Sequence, residues 1–310
     1  MIAHWDDVEP EFADKGPLGF RSYDLGEAAG TKNVGVTRAK VDRGKQSSPV
    51  HIELDEEEIF YVLGGSGLSW QDGETYKVGP GDCIVHRAAE EAHTLIGGPD
   101  GLDILAFGER TDATATWLPR PRVVRMGISF HVPQGEHPWD LEAAQGDLEL
   151  PDPSPRRANI VNLAETEDED GWHDLGRAAG SVRTGMSHVT VAPARLNAPP
   201  HCHSSEEEIF VILEGDGTLE LTPSPTLRYV GVEDERHPVR AGHVVSRPAG
   251  TRISHVFRAG DNGLTLLAYG QRQPNDITYY PRSNKINFRG VGVIARLDAL
   301  RYEEGEEDLF

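Results

Sequence analysis

The property that most constrains this chain is that it repeats itself. Residues 21–35, RSYDLGEAAGTKNVG, align with residues 171–185, GWHDLGRAAGSVRTG, at a shift of 150, and the same register carries PVHIELDEEEIFYVLGGSG at 49–67 onto PPHCHSSEEEIFVILEGDG at 199–217. A second block, HTLIGGPDGLDILAFGER at 93–110, returns as HVFRAGDNGLTLLAYGQR at 255–272 with the shift grown to 162, and Pro119-Arg120 returns as Pro281-Arg282. Self-similarity on this scale means one structural unit built twice. The change of shift places about a dozen extra residues of the second copy in TPSPTLRYVGVEDERH at 222–237, which reads as a longer surface loop.

A length of 310 residues fits two ordinary domains. The stretch between the copies has no clear periodicity beyond one helical signal, DLEAAQG at 140–146, and ends in the extended linker PDPSPRR at 151–157. The expected organisation is therefore an N-terminal domain at 1–125, an irregular connection at 126–158 and a C-terminal domain at 159–310. Inside each copy the apolar runs are short, β-rich and bounded by Gly or Pro, as in IFYVL at 59–63, CIVH at 83–86, IFVIL at 209–213 and TLLAYG at 265–270. With 34 Gly and 21 Pro the chain is rich in turns, so an all-β fold of two antiparallel barrels related by a pseudo-two-fold axis is expected. A second, weaker helical signal is DALRYEE at 298–304.

Charge narrows the function. A net charge of −21 repels phosphate backbones, which argues against nucleic-acid binding. No run approaches the roughly 20 apolar residues of a membrane helix, and the start MIAHWDDVEPEF lacks the basic and apolar regions of a secretory signal, so a cytoplasmic protein without membrane attachment is expected. Two cysteines, Cys83 and Cys202, exclude a disulfide framework or a four-cysteine zinc site.

The residues that carry chemistry sit in the repeated blocks. His201 and His203 are two apart, so on a strand both imidazoles face one side while Cys202 faces the other. Glu208 follows, Gly215 closes a turn after it, and GHVVSRPAGTRISH at 242–255 delivers His255 behind a Gly-Pro turn. Three imidazoles and a carboxylate suit a divalent transition metal, Mn, Fe, Co, Ni, Cu or Zn, and octahedral geometry would leave two positions open. The first copy keeps His51, Glu58 and His93 but has Glu53 where the second has His203, a set that favours harder ions.

These motifs resemble the cupin superfamily. H-x-H-x4-E-x6-G runs from His201 to Gly215 and G-x5-P-x-G from Gly242 to Gly250, and the duplication resembles a bicupin over nearly the whole chain. The resemblance implies two tandem double-stranded β-helix (jelly-roll) barrels. It also implies metal ligands at His201, His203, Glu208 and His255, with His51, Glu53, Glu58 and His93 as the first-copy set. His255 stands five residues after Gly250, where the family usually has three, and the leading Gly of the first motif has no match before His201.

Alternation turns Glu56 and Glu58 to one side and Glu57 to the other, so part of each triple-glutamate run, 56–58 and 206–208, reads as solvated charge. EEGEED at 303–308 reads as an exposed tail. Arg247, Arg252, Tyr279, Tyr280 and Arg282 lie near the second site, where an anionic substrate would need an arginine. The resulting expectation is a metal-dependent enzyme on a small organic substrate, with dioxygenase-like chemistry preferred and Glu208 as ligand and base. A decarboxylase or isomerase of the same fold, or a non-catalytic metal or small-ligand binding protein, is the alternative. Monomer and homodimer are both compatible with a chain that already contains two barrels.

Overall fold

The computed structural model describes residues 1–110, 114–126, 129–131, 137–298, 300, 302, 304 and 305, with 129–131 described by backbone alone. The acidic tail at 303–308 therefore lies largely outside the described residues, and of the weak helical signal at 298–304 the described residues 298, 300, 302 and 304 are not helical.

Each copy forms a barrel from a large and a small antiparallel sheet, in agreement with an all-β fold of two double-stranded β-helix barrels. The backbone of each large sheet is a pair of long strands, Glu58–Gln71 with His93–Glu109 in the first barrel and Glu208–Pro223 with Ile253–Gln271 in the second. The apolar runs at 59–63, 209–213 and 265–270 are thus segments of longer, bulged strands, while CIVH makes up most of the short strand Asp82–His86. Gly215 does not close a turn. It lies inside a strand at a register shift, with φ +76°, and a Cβ there would stand 2.2 Å from the carbonyl oxygen of Gly263. Only glycine accepts both the left-handed backbone and the close approach.

The small sheets, Ile52–Glu53 with Ala115–Leu118 and Val123–Met126, and Cys202–His203 with Ile277–Tyr280, Lys285–Phe288 and Val293–Arg296, close the barrel mouths where the motif histidines lie. The insertion at 222–237 is more ordered than a loop: it contains a short helix, Pro225–Tyr229, and most of its end joins strand Glu235–Arg240, which pairs with Asp216–Leu221.

Period-two alternation sorts the side chains of the central strands. Phe60 and Val62 point into the first barrel, and Phe210 and Ile212 into the second. Their neighbours Ile59 and Tyr61, and Ile209 and Val211, point the other way and meet in one apolar layer between the barrels, with Leu25, Phe107, Leu175, Met186, Leu267 and Tyr269. Burying a side chain of this size stabilises by about 1.5–3 kcal/mol, so the interface ranks with the two barrel cores in holding the fold together.

Glu57 and Glu207 follow the same parity into this layer, which corrects the reading of them as solvated charge. Both are fully buried. Glu57 accepts hydrogen bonds from Ser181 Oγ at 2.6 Å, Thr184 Oγ1 at 2.6 Å, Thr184 N at 3.1 Å and Val182 N at 2.9 Å, all in the second barrel. Glu207 reciprocates, accepting from Lys32 N at 3.0 Å and Asn33 N at 2.5 Å in the first. The barrels also exchange edge strands: Ile2–His4 pairs with His243–Val245, and Ile160–Asn162 pairs with Asp82–Ile84.

Candidate metal centres

In the second barrel Glu208 opens its strand with its side chain turned inward, the same parity as Phe210. Its Oε2 stands 3.0 Å from His255 Nε2, 3.4 Å from His203 Nε2 and 3.8 Å from His201 Nε2, so the four residues singled out in the sequence come together. An isolated bridge pairs His201 with His255 in spite of the longer spacing after Gly250. Donor atoms of His201, Glu208 and His255 all lie within 4.8 Å of one another.

The rings are fixed from behind. His201 Nδ1 donates to the carbonyl oxygen of Pro199 at 2.8 Å and His203 Nδ1 donates to Asp276 Oδ2 at 2.7 Å, which turns Nε2 of both toward Glu208. Asp276 is itself held by the Thr278 hydroxyl and by backbone N–H groups of Ser204 and Ser205. Nothing in the sequence marked this aspartate, because its partner lies 73 residues away.

His203 Nε2, His255 Nε2 and Glu208 Oε2 are buried and have no aligned hydrogen-bond partner. Unsatisfied buried polar atoms are costly, and here they face one point, so the donor set fits a divalent transition metal. Protonation tells the same story. Against the desolvation of burial, the Glu208 and Asp276 carboxylates raise His203 to about 10, whereas desolvation lowers His255 to about 4. Without metal, His203 keeps its proton against the glutamate.

The first barrel repeats the geometry. His51 Nε2 and His93 Nε2 lie 3.1 and 2.9 Å from Glu58 Oε2, and Nδ1 of His51 donates to the carbonyl oxygen of Pro49 at 2.8 Å. Burial works against it, but Glu58 and Glu53 hold His51 up at about 9, while desolvation takes His93 down to about 3. Glu53 stands 3.8 Å from His51 through Oε1, and its Oε2 accepts from the Thr116 hydroxyl at 2.8 Å. Desolvation and the neighbouring carboxylates raise Glu53 to about 7 and Glu56 to about 10. A cavity of about 770 Å³ opens over Glu53, Glu56 and Glu58.

Two further residues face the centres. Arg247 is paired in register with Glu208, is buried, and donates from Nη2 to the Ile253 carbonyl at 3.0 Å while its Nε has no partner. Directly opposite residues share a face, so Arg247 points to the side that Glu208 does. Its counterpart is His86, opposite Glu58 and stacked 3.7 Å from His93, a residue the sequence reading passed over. Tyr280 stacks on His201 at 5.7 Å, whereas Arg282 and Tyr279 line an outer groove. Cys83 and Cys202 are buried free thiols, both raised by desolvation.

Fold and site together define a two-barrel, double-stranded β-helix protein with a His/Glu cluster in each barrel. Residues 37–97 match the Cupin domain family and residues 158–281 match the Auxin binding protein family. Auxin-binding proteins T92 and T85 of Nicotiana tabacum are each 47% identical over 132 residues, spanning 39% of this chain and 67% of theirs. Among solved structures, a mutant of Bacillus subtilis oxalate decarboxylase superposes with a TM-score of 0.61 at 17% identity, covering 89% of this chain and 78% of that one. The Lactobacillus farciminis oxalate decarboxylase formate complex gives 0.59 at 14% identity, covering 88% and 86%. The chain belongs to the cupin superfamily and is a bicupin. Among the described residues no helix is long and apolar enough to cross a membrane.

Proposed function

We propose that this bicupin is a metal-dependent enzyme that acts on a small carboxylic acid, with decarboxylation as its chemistry. The single observation that carries the reading is the pairing of a metal-competent cluster at Glu208 with a buried arginine, Arg247, on the same face. A guanidinium with an unpartnered N–H on the face of the cluster is suited to a carboxylate, which it binds in a fixed orientation. A bound divalent metal would supply Lewis-acid polarisation of the substrate's oxygen.

His201, His203, Glu208 and His255 would hold that metal in the second barrel, and His51, Glu53, Glu58 and His93 in the first. The solved bicupins above are oxalate decarboxylases, and the Bacillus subtilis enzyme has Mn(II) centres, which supports manganese over the other metals. This displaces the dioxygenase preference of the sequence reading. Loss of CO2 from a monoprotonated diacid is redox-neutral overall: the C–C bond breaks, its electron pair stays on the remaining carbon, and the proton moves there. Dioxygen is not consumed.

The match to auxin-binding proteins, much higher in identity, favours a second reading in which the same site binds a carboxylic acid without turning it over. The two separate in one experiment. Protein loaded with Mn(II) is mixed with oxalate and a panel of simple organic acids, and CO2, formate and dioxygen are followed. Formate without stoichiometric oxygen uptake supports the decarboxylase, saturable binding without product supports the receptor-like reading, and oxygen uptake with both oxygen atoms recovered in the organic product would return the dioxygenase.

A further inference from the structure

The second barrel carries a cationic groove on its outer face. A cavity of about 760 Å³ is lined by Arg195, Arg258, Arg282 and Lys285 with no carboxylate in its wall, on a chain whose net charge is −21. A smaller lobe of about 370 Å³ continues it past Arg228 and Tyr279, sharing Arg258 and Arg282. Glu220 in the wall of that lobe pairs with Arg258 at 2.7 Å and is also stabilised by Arg282, and Arg228 pairs with Asp234, whereas Arg195, Arg282 and Lys285 form no direct ion pair with any described carboxylate. In a protein this acidic, a groove walled by five cations and one carboxylate, Glu220, is a built feature.

The repeat shows what such a groove takes. Arg282 corresponds to Arg120 and Arg195 to Lys45 in the first copy. There the same place is covered by the helix Pro138–Ala143 of the connection between the barrels. Glu142 of this helix is fully buried and accepts from Arg120 Nη1 at 2.6 Å, while Arg120 Nη2 donates to the carbonyl oxygen of Gly146 at 2.7 Å. Lys45 is met from its own chain as well: its Nζ donates to the carbonyl oxygen of Gly16 at 2.6 Å and lies 3.7 Å from Asp14, and an added Cβ on Gly16 would sit 3.1 Å from Ala143 of the helix. The first barrel therefore fills its cationic depression with a carboxylate from its own chain. The second leaves Arg282 exposed.

We propose that this groove is a binding site for a small molecule bearing two or more carboxylates, one of which takes the place on Arg282 that Glu142 takes on Arg120. The remaining cations, Arg195 and Lys285, meet the others. Lys285 lies 4.9 Å over the ring of Tyr280, and Tyr280 stacks on His201, so the site adjoins the second metal centre without including a metal ligand. The inference stands apart from the chemistry proposed for the metal and holds whether or not the acid is turned over.

The test is calorimetric titration of the full chain with tricarballylate, a tricarboxylate with no chelating hydroxyl, at low ionic strength. Losing a charge-assisted contact of about 1.5–3 kcal/mol predicts a fall in affinity of about tenfold or more in Arg282→Glu and in Arg195→Glu. Lys77→Glu, on an exposed residue of the first barrel, changes net charge equally and should bind as wild type. His255→Ala, which removes a metal-cluster imidazole, should also keep the interaction, separating failure here from failure of the metal reading. Absence of binding to the wild type, unchanged affinity in Arg282→Glu, or an equal loss in Lys77→Glu or His255→Ala would overturn the proposal.

Discussion

His203 Nδ1 donates to Asp276 at 2.7 Å, and the repeat converts both ends of this contact together: Glu53 replaces the histidine, and Thr114 stands where the aspartate is. An imidazole that must present Nε2 needs an acceptor behind it, whereas a carboxylate needs a donor, which Thr116 supplies to Glu53 at 2.8 Å. Each barrel has a partner matched to its own fourth residue. Asp276→Asn should retain the fold and weaken metal binding in the second barrel by about 10–100-fold, as loss of such an orienting carboxylate does. Competitive titration against a chelator reads this directly, and unchanged affinity would show that Asp276 does not orient the ligand.

Metal content tests the two clusters separately. Protein saturated with Mn(II) and freed of excess ion should hold one equivalent per barrel; His255→Ala should remove one and His93→Ala the other. Because a ligand that binds only the folded state adds stability, chelation should lower the melting temperature of wild type, and less in either variant. A melting temperature indifferent to chelator, with no metal bound, would leave the clusters as hydrogen-bonded polar groups.

Glu57 ties the barrels together. Glu57→Ala removes the acceptor for Ser181, Val182 and Thr184 in a fully buried place, and a cost of about 3–5 kcal/mol is expected from donors left unpaired. Glu207→Ala should be similarly costly through Lys32 and Asn33. Denaturant unfolding measures both, with metal stoichiometry unchanged in the folded fraction.

His188 gives the interface a pH dependence. It is buried beside Tyr61 and His173, and desolvation, with His173, lowers its pKa from the ordinary value of 6.5. A histidine depressed in the folded state takes up its proton more readily when unfolded, so its contribution is intact above about pH 6.5 and stability falls as pH drops below it. Between pH 7.5 and 5.5, His188→Gln should lose less stability than wild type, and the difference between the two cancels the carboxylates common to both. Equal slopes would exclude His188 as the source.

The sequence by itself determined the duplication, the strand parity and the His/Glu positions that cluster in each barrel. These are local or repeat-encoded: two histidines on alternate positions share a face wherever the strand goes, and Glu58 and Glu208 keep the inward parity of Phe60 and Phe210. Only the tertiary structure decided what lies behind and around them. Asp276 reaches His203 across 73 residues and Glu57 reaches Ser181 across 124, and a glutamate that looks like surface charge becomes a buried interface acceptor once a second barrel covers it. The exchanged edge strands and the fate of Arg120 and Arg282 were decided the same way. Two equivalent arginines differ because one helix of the connection packs on the first barrel and leaves the second open, a contact that no periodicity in the chain records.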